Sequence, residues 1–188
     1  YEWRQRAITF WTSEHELRVG SDTSFTKVPV PDDAQVDTFA DQLLITLRSD
    51  WSFGGGAYGA GALLAVPCAP FLRGEKVAVV QLFEPTATCS LDGTGETKNY
   101  LILDVLNNVR TELRLWRYDA KKGGAGAGAG AGGWALEQTY RGVGGEAAIE
   151  AIGASGVCST ESDELWLTSS SYTQPTTYSI ARADAPLA

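Results

Sequence analysis

Nucleophilic catalysis by a serine needs a Ser on a strained strand-to-helix turn, a His to take its proton and an acid to orient that His. No Gly-x-Ser-x-Gly occurs in the chain. The nearest approach, Gly153-Ala154-Ser155-Gly156-Val157, lacks the last glycine and reads as a surface turn. The single histidine, His15, lies between Glu14 and Glu16 just ahead of a β-type run, the setting of a solvated turn rather than a buried base. Hydrolysis by this chain would have to use Lys or carboxylate chemistry, for which the sequence holds no organised pair.

Other chemistry-bearing patterns resolve the same way. Gly128-x-Gly130-x-x-Gly133 matches the dinucleotide fingerprint formally, but it sits in a Gly/Ala repeat and leads into Trp134 and a strand, not a helix N-terminus. Asp32-Asp33 and Asp92-Gly93 lack the alternating oxygen ligands of calcium loops and read as turns. The six tryptophans and seven tyrosines could form a carbohydrate or peptide platform. Trp51, Trp116, Trp134 and Trp166 each fall in or beside strand patterns, where packing between sheets is the simpler role. No catalytic, cofactor-binding or metal-ligating residue is assigned, and no cofactor is expected.

The composition narrows the partners. A formal net charge of −8 and no dense Lys/Arg cluster oppose binding to phosphate backbones, so nucleic acid is not an expected partner. The longest apolar runs, such as residues 60–66 and 100–106, fall well short of the roughly 20 residues that span a bilayer, so no membrane crossing is expected. Cys68, Cys89 and Cys158 are odd in number, far apart and without Cys-x-x-Cys spacing, which fits a reducing, cytoplasmic compartment. Tyr1 falls inside a patterned segment with no signal-peptide arrangement, so the chain reads as cut from something longer.

The elements that would position any site are short β-type runs ended by turn signals. Residues 7–12 and 15–19 predict a hairpin before Gly20-Ser21-Asp22, and the Val28-Pro29-Val30-Pro31 run belongs at a sheet edge or strand end because proline cannot donate to a ladder. Leu43, Ile45 and Leu47 alternate with Leu44, Thr46 and Arg48, as a half-buried strand requires. Further strands are predicted over 61–66 and 77–83. Asp92-Gly93 predicts a turn before 100–105, and Asn107-Asn108 a tight reversal into 111–118. A Gly/Ala-rich loop insertion occupies 120–133 and carries no side chains able to fill a core. Strands resume over 134–140, 165–168 and 177–180, and only residues 146–152 resemble a helix. With 188 residues and 44% apolar composition, one structural unit around one core is expected. About a dozen short strands without a crossover helix predict an antiparallel all-β fold, with propeller, sandwich and barrel all open.

The stretch from Ser162 to Tyr178 carries an acidic turn, an apolar strand, a Ser-rich run and Pro175-x-x-Tyr178, and it resembles the end of the propeller in the prolyl oligopeptidase family. Residues 43–51, 58–65 and Leu82-Phe83-Glu84-Pro85 are similar to that family too, so the resemblance spans most of the chain. The family resemblance implies a peptidase in which a β-propeller covers an α/β-hydrolase domain and admits only small peptides, commonly cut after proline. On that resemblance the whole of 1–188 is part of a β-propeller domain, about three antiparallel blades of an incomplete ring. The catalytic hydrolase domain is expected to be absent from the chain and to follow it. The chain is then a non-catalytic segment limiting access of peptide substrates, and a partner chain could complete the propeller. The alternative is a stand-alone propeller or sandwich that binds a protein or peptide and catalyses nothing.

Overall fold

A computed structural model describes residues 1–121, 133–142 and 150–187. It forms two compact units, Tyr1–Glu84 and Pro85–Ala188, where composition led us to expect one. The reason lies in the packing: each unit closes a hydrophobic cluster of its own. The chain is all-β and its sheets are antiparallel.

In the first unit, β1 (Glu2–Ala7), β2 (Ser13–Arg18) and β3 (Thr26–Lys27) form a three-stranded sheet. The predicted hairpin is present, but its first strand lies earlier than expected, and residues 8–12 are the connecting loop. Thr9 explains the shift. Its hydroxyl accepts the N–H groups of Trp11 and Thr12, a local pattern that competes with ladder formation. Every residue of β1 is exposed, and its charges pair across the strand with β2, Arg6 with Glu14 and Arg18 with Glu2. β3 lies at the sheet edge and stops before Pro29, as the proline run predicts.

The second sheet of this unit has the order β4 (Gln35–Phe39), β5 (Gln42–Thr46), β8 (Leu63–Pro67), β9 (Val80–Phe83). β5 is buried on both faces rather than half-buried: Leu44 is 4% exposed on one face, while Leu43 and Ile45 are fully covered on the other. Leu43, Ile45 and Leu47 join Leu64 and Val66, Leu17 of the first sheet and Val28 just after β3 in one cluster. Burying such a side chain contributes about 1.5–3 kcal/mol. Between β5 and β8 runs a hairpin of β6 (Trp51–Phe53) and β7 (Gly56–Tyr58). Gly54 and Gly55, with φ of 63° and 86°, supply the left-handed turn. A short helix, α1 (Cys68–Leu72), lies in the connection before β9 and buries Phe71.

The second unit is a four-stranded meander of β10 (Cys89–Glu96), β11 (Tyr100–Asn107), β12 (Arg110–Tyr118) and β13 (Trp134–Tyr140), followed by a three-stranded meander of β14 (Glu150–Gly156), β15 (Glu164–Ser171) and β16 (Thr177–Arg182). The reversal between β11 and β12 is formed by Asn108 and Val109, with φ of 48° and 68°, the conformation of a type I′ turn. Asp92-Gly93 is not a turn. It lies inside β10 at a bulge, where the pairing with β11 shifts between Leu91 and Gly93. The expected helix over 146–152 is overturned at its end: Ile152 lies in β14 and is buried, while 143–149 fall outside the described residues. The insertion at 120–133 also lies mostly outside them. The Asp119 N–H donates to the Gly133 carbonyl at 2.9 Å and ties its two ends together.

Tyr100, Ile102, Leu113 and Leu115 pack against Ile152, Leu165 and Leu167. The two sheets approach to backbone contact. A Cβ on Gly95 would stand 2.8 Å from the Ala154 carbonyl oxygen, and one on Gly156 only 2.2 Å from that of Glu96.

Candidate functional site

The Ser155 segment is a strand, not the surface turn expected of it. Gly153–Gly156 continue the β14 ladder, with Ser155 opposite Trp166. Gly156 is glycine because the Glu96 backbone occupies the space of a side chain, so the motif's likeness to a nucleophile elbow is incidental. Gly128 and Gly130 lie outside the described residues. Among the described residues no group of three His, Cys, Asp or Glu side chains is placed to hold a metal ion. The cysteines are free thiols, and burial pushes the Cys68 thiol up, away from the reactive thiolate.

His15 departs most from its sequence expectation. Expected in a solvated turn, it is 4% exposed in β2. The cause is strand alternation: Glu14 and Glu16 point to the charged outer face, which sends His15 and Leu17 inward. Its Nε2 lies 3.2 Å from the Ala34 carbonyl oxygen, and the Trp3 ring sits at 5.1 Å. A carbonyl oxygen can only accept, so Nε2–H donates to it, while Nδ1 is buried with no hydrogen-bond partner among the described residues.

His15 lines a pocket of about 310 Å³ within the first unit. One wall is the 8–12 loop, from which Phe10 and Trp11 project in an edge-to-face pair at 4.6 Å. Another is the segment carrying Asp32 and Asp33, and Arg48 lines it beyond the end of β5. Several bonds pin these walls. Ser13 N–H donates to the Asp32 carbonyl at 2.7 Å, Gln5 Nε2 to Ser13 Oγ at 3.1 Å, and Ser49 Oγ to Asp33 Oδ1 at 3.1 Å. Sequence reading named Asp32-Asp33 and His15 separately and missed Trp11 and Arg48. Nothing in linear spacing reveals that the linker after β3 folds back across the start of β2.

Two polar centres lie in the second unit. Glu112, 3% exposed, accepts Arg114 at 2.6 Å and Arg141 at 3.0 Å. Asp104 sits opposite Gly93 at the bulge. Burial first, and the charge of Asp92 second, raise its carboxyl to about 6. The aromatic residues divide: Trp134 is buried, Trp51 packs on the first unit's core, and Trp166, expected to pack between sheets, is 43% exposed on β15. Trp166 faces outward because Leu165 and Leu167 take the core side of the strand.

No family model matches the chain. It is 35% identical over 106 residues, 55% of its own length, to an uncharacterized peptidase, y4nA, of Sinorhizobium fredii (strain NBRC 101917 / NGR234), and it spans 14% of that relative. Its fold matches a post-proline cleaving enzyme from Rickettsia typhi with a TM-score of 0.77 at 20% identity, over 95% of this chain and 24% of that one. The resemblance to the prolyl oligopeptidase family is borne out. A structure from a study of two prolyl endopeptidases matches with a TM-score of 0.58 at 13% identity, over 92% of this chain and 22% of that one. The chain is built of antiparallel sheets, and it spans only a small share of the length of the proteins it matches. Among the described residues no helix is long and apolar enough to cross a membrane.

Proposed function

We propose that the chain is a segment of the non-catalytic β-propeller of a prolyl-oligopeptidase-like serine peptidase, limiting access of peptides to a hydrolase domain elsewhere in the protein. The fold match over 95% of the chain carries this reading. Sheet design supports it. Among the described residues, four sheets of three or four strands follow one another along the chain, each a candidate blade, against about three expected from sequence. Trp166, Tyr178 and Ile180 stand exposed on the sheet of β14–β16, an apolar face suited to cover by a further blade or a partner chain. Three free thiols fit a reducing, cytoplasmic setting.

The reading is tested on the native open reading frame. It predicts several hundred further residues holding a Gly-x-Ser-x-Gly strand-turn-helix pattern, about the size of a hydrolase domain. A reading frame without that pattern would leave the alternative, a binding module without enzymatic activity, which the pocket beside His15 favours.

A further inference from the structure

The pocket beside His15 has no part in the peptide gating proposed above, yet it is a built site. Its aromatic lip is held out rather than collapsed. Thr9 and Thr12 hydroxyls meet at 2.7 Å, the Ile8 and Thr9 N–H groups both donate to the Thr12 carbonyl, and Phe10 and Trp11 are left 87% and 69% exposed. Exposing two large aromatic rings forgoes burial that a hairpin turn of small polar residues would not have to forgo.

Opposite charges line the same space. The Asp32 carboxylate has no side-chain hydrogen bond, Asp33 is held by Ser49, and the Arg48 guanidinium makes no ion pair among the described residues. His15 also lines this wall, with its unpartnered Nδ1 buried from solvent. Two carboxylates, a guanidinium without an ion pair and an edge-to-face aromatic lip around one pocket describe a ligand with a cation, an anion and an apolar body. A volume of about 310 Å³ suits a small ligand.

We propose that this pocket binds a free α-amino acid with an aromatic or apolar side chain, its ammonium toward Asp32 and Asp33, its carboxylate on Arg48 and its side chain against Phe10 and Trp11. Guanidinium–carboxylate and ammonium–carboxylate contacts are the charge-assisted hydrogen bonds that orient small ligands, and the aromatic pair supplies the apolar contact.

The test is isothermal titration of L-phenylalanine into the native full-length protein, beside Asp32→Asn, Arg48→Gln and Trp11→Ala variants. N-acetyl-phenylalanine and phenylalanine amide, each lacking one charge, serve as controls. All three substitutions are at exposed side chains, and circular dichroism checks that the fold survives. The expected result is saturable binding that weakens roughly tenfold, about 1.4 kcal/mol, with each substitution and with each blocked probe. Absence of saturable binding overturns the proposal. So does binding that is unchanged in Asp32→Asn and Arg48→Gln, which would place the amino acid elsewhere. Neither result bears on whether a hydrolase domain exists.

Discussion

Asn99 grips Asp163 twice: its backbone N–H donates to Oδ1 at 2.8 Å and its Nδ2 to Oδ2 at 2.7 Å. Thr97 Oγ1 adds a third donor to Oδ1 at 2.9 Å, and the Asp163 carbonyl accepts Ala183 N–H at 2.8 Å. One carboxylate thus joins the loop before β11 to the loop before β15. Asp163→Asn removes the charge from a carboxylate that accepts three hydrogen bonds and replaces one accepting oxygen with an NH₂ donor. The substitution should lower unfolding free energy by about 2–3 kcal/mol, read as a fall in the urea midpoint with an unchanged slope.

Glu112 is buried between two arginines of unequal exposure, Arg114 at 25% and Arg141 at 47%. Removing the buried carboxylate takes away the acid that both arginines share, so Glu112→Ala should cost about 3 kcal/mol, whereas Arg141→Ala, at the more exposed side chain, should cost less than about 1 kcal/mol. Equal losses in chemical denaturation would refute the asymmetry.

Asp104 gives a pH signature. Its carboxyl is raised to about 6 from 3.8, chiefly by burial and then by Asp92, so the native state holds a proton that the unfolded chain has already released between those values. Stability from this group is therefore full below about pH 3.8 and is lost as pH rises through about 6. The loss is at most about 2 kcal/mol after allowance for partial solvent screening. Asp104→Asn should flatten that part of the curve and raise stability at pH 7. An unchanged pH profile of the melting temperature in the variant would remove the assignment.

Gly156→Ala forces a methyl group against the Glu96 carbonyl oxygen, in a space that backbone fills from the other side. It should cost at least about 3 kcal/mol, the upper range for overpacking, because neither strand can yield without breaking its ladder. Ser155→Ala, at an exposed position one residue away, should change neither stability nor any peptidase activity of the full-length protein. Loss of turnover in Ser155→Ala would restore the segment as a nucleophile.

The hairpin of β11 and β12 was legible in the sequence because an Asn-rich reversal separates two long β-type runs, and the edge position of β3 because proline announces it. Residues 8–12 misled because Ile8, Phe10 and Trp11 have strand-forming side chains, and only the Thr9 hydroxyl bonds show why they form a loop. His15 misled for a related reason: its charged neighbours signal solvent, but in a strand neighbours point the opposite way. Asp92-Gly93 has the composition of a turn and the position of a bulge, a distinction set by pairing with β11 rather than by local sequence. The pocket could not be read at all, since Trp11, Asp32 and Arg48 meet only through tertiary packing.

Peptide-length discrimination by the native full-length protein tests the central claim most directly. Turnover of short fluorogenic peptides carrying an internal proline is compared with turnover of the same cleavage sequence inside a folded domain. The account predicts cleavage of the short peptides and none of the folded substrate. Equal cleavage of both, or no cleavage of either by the intact protein, would contradict it.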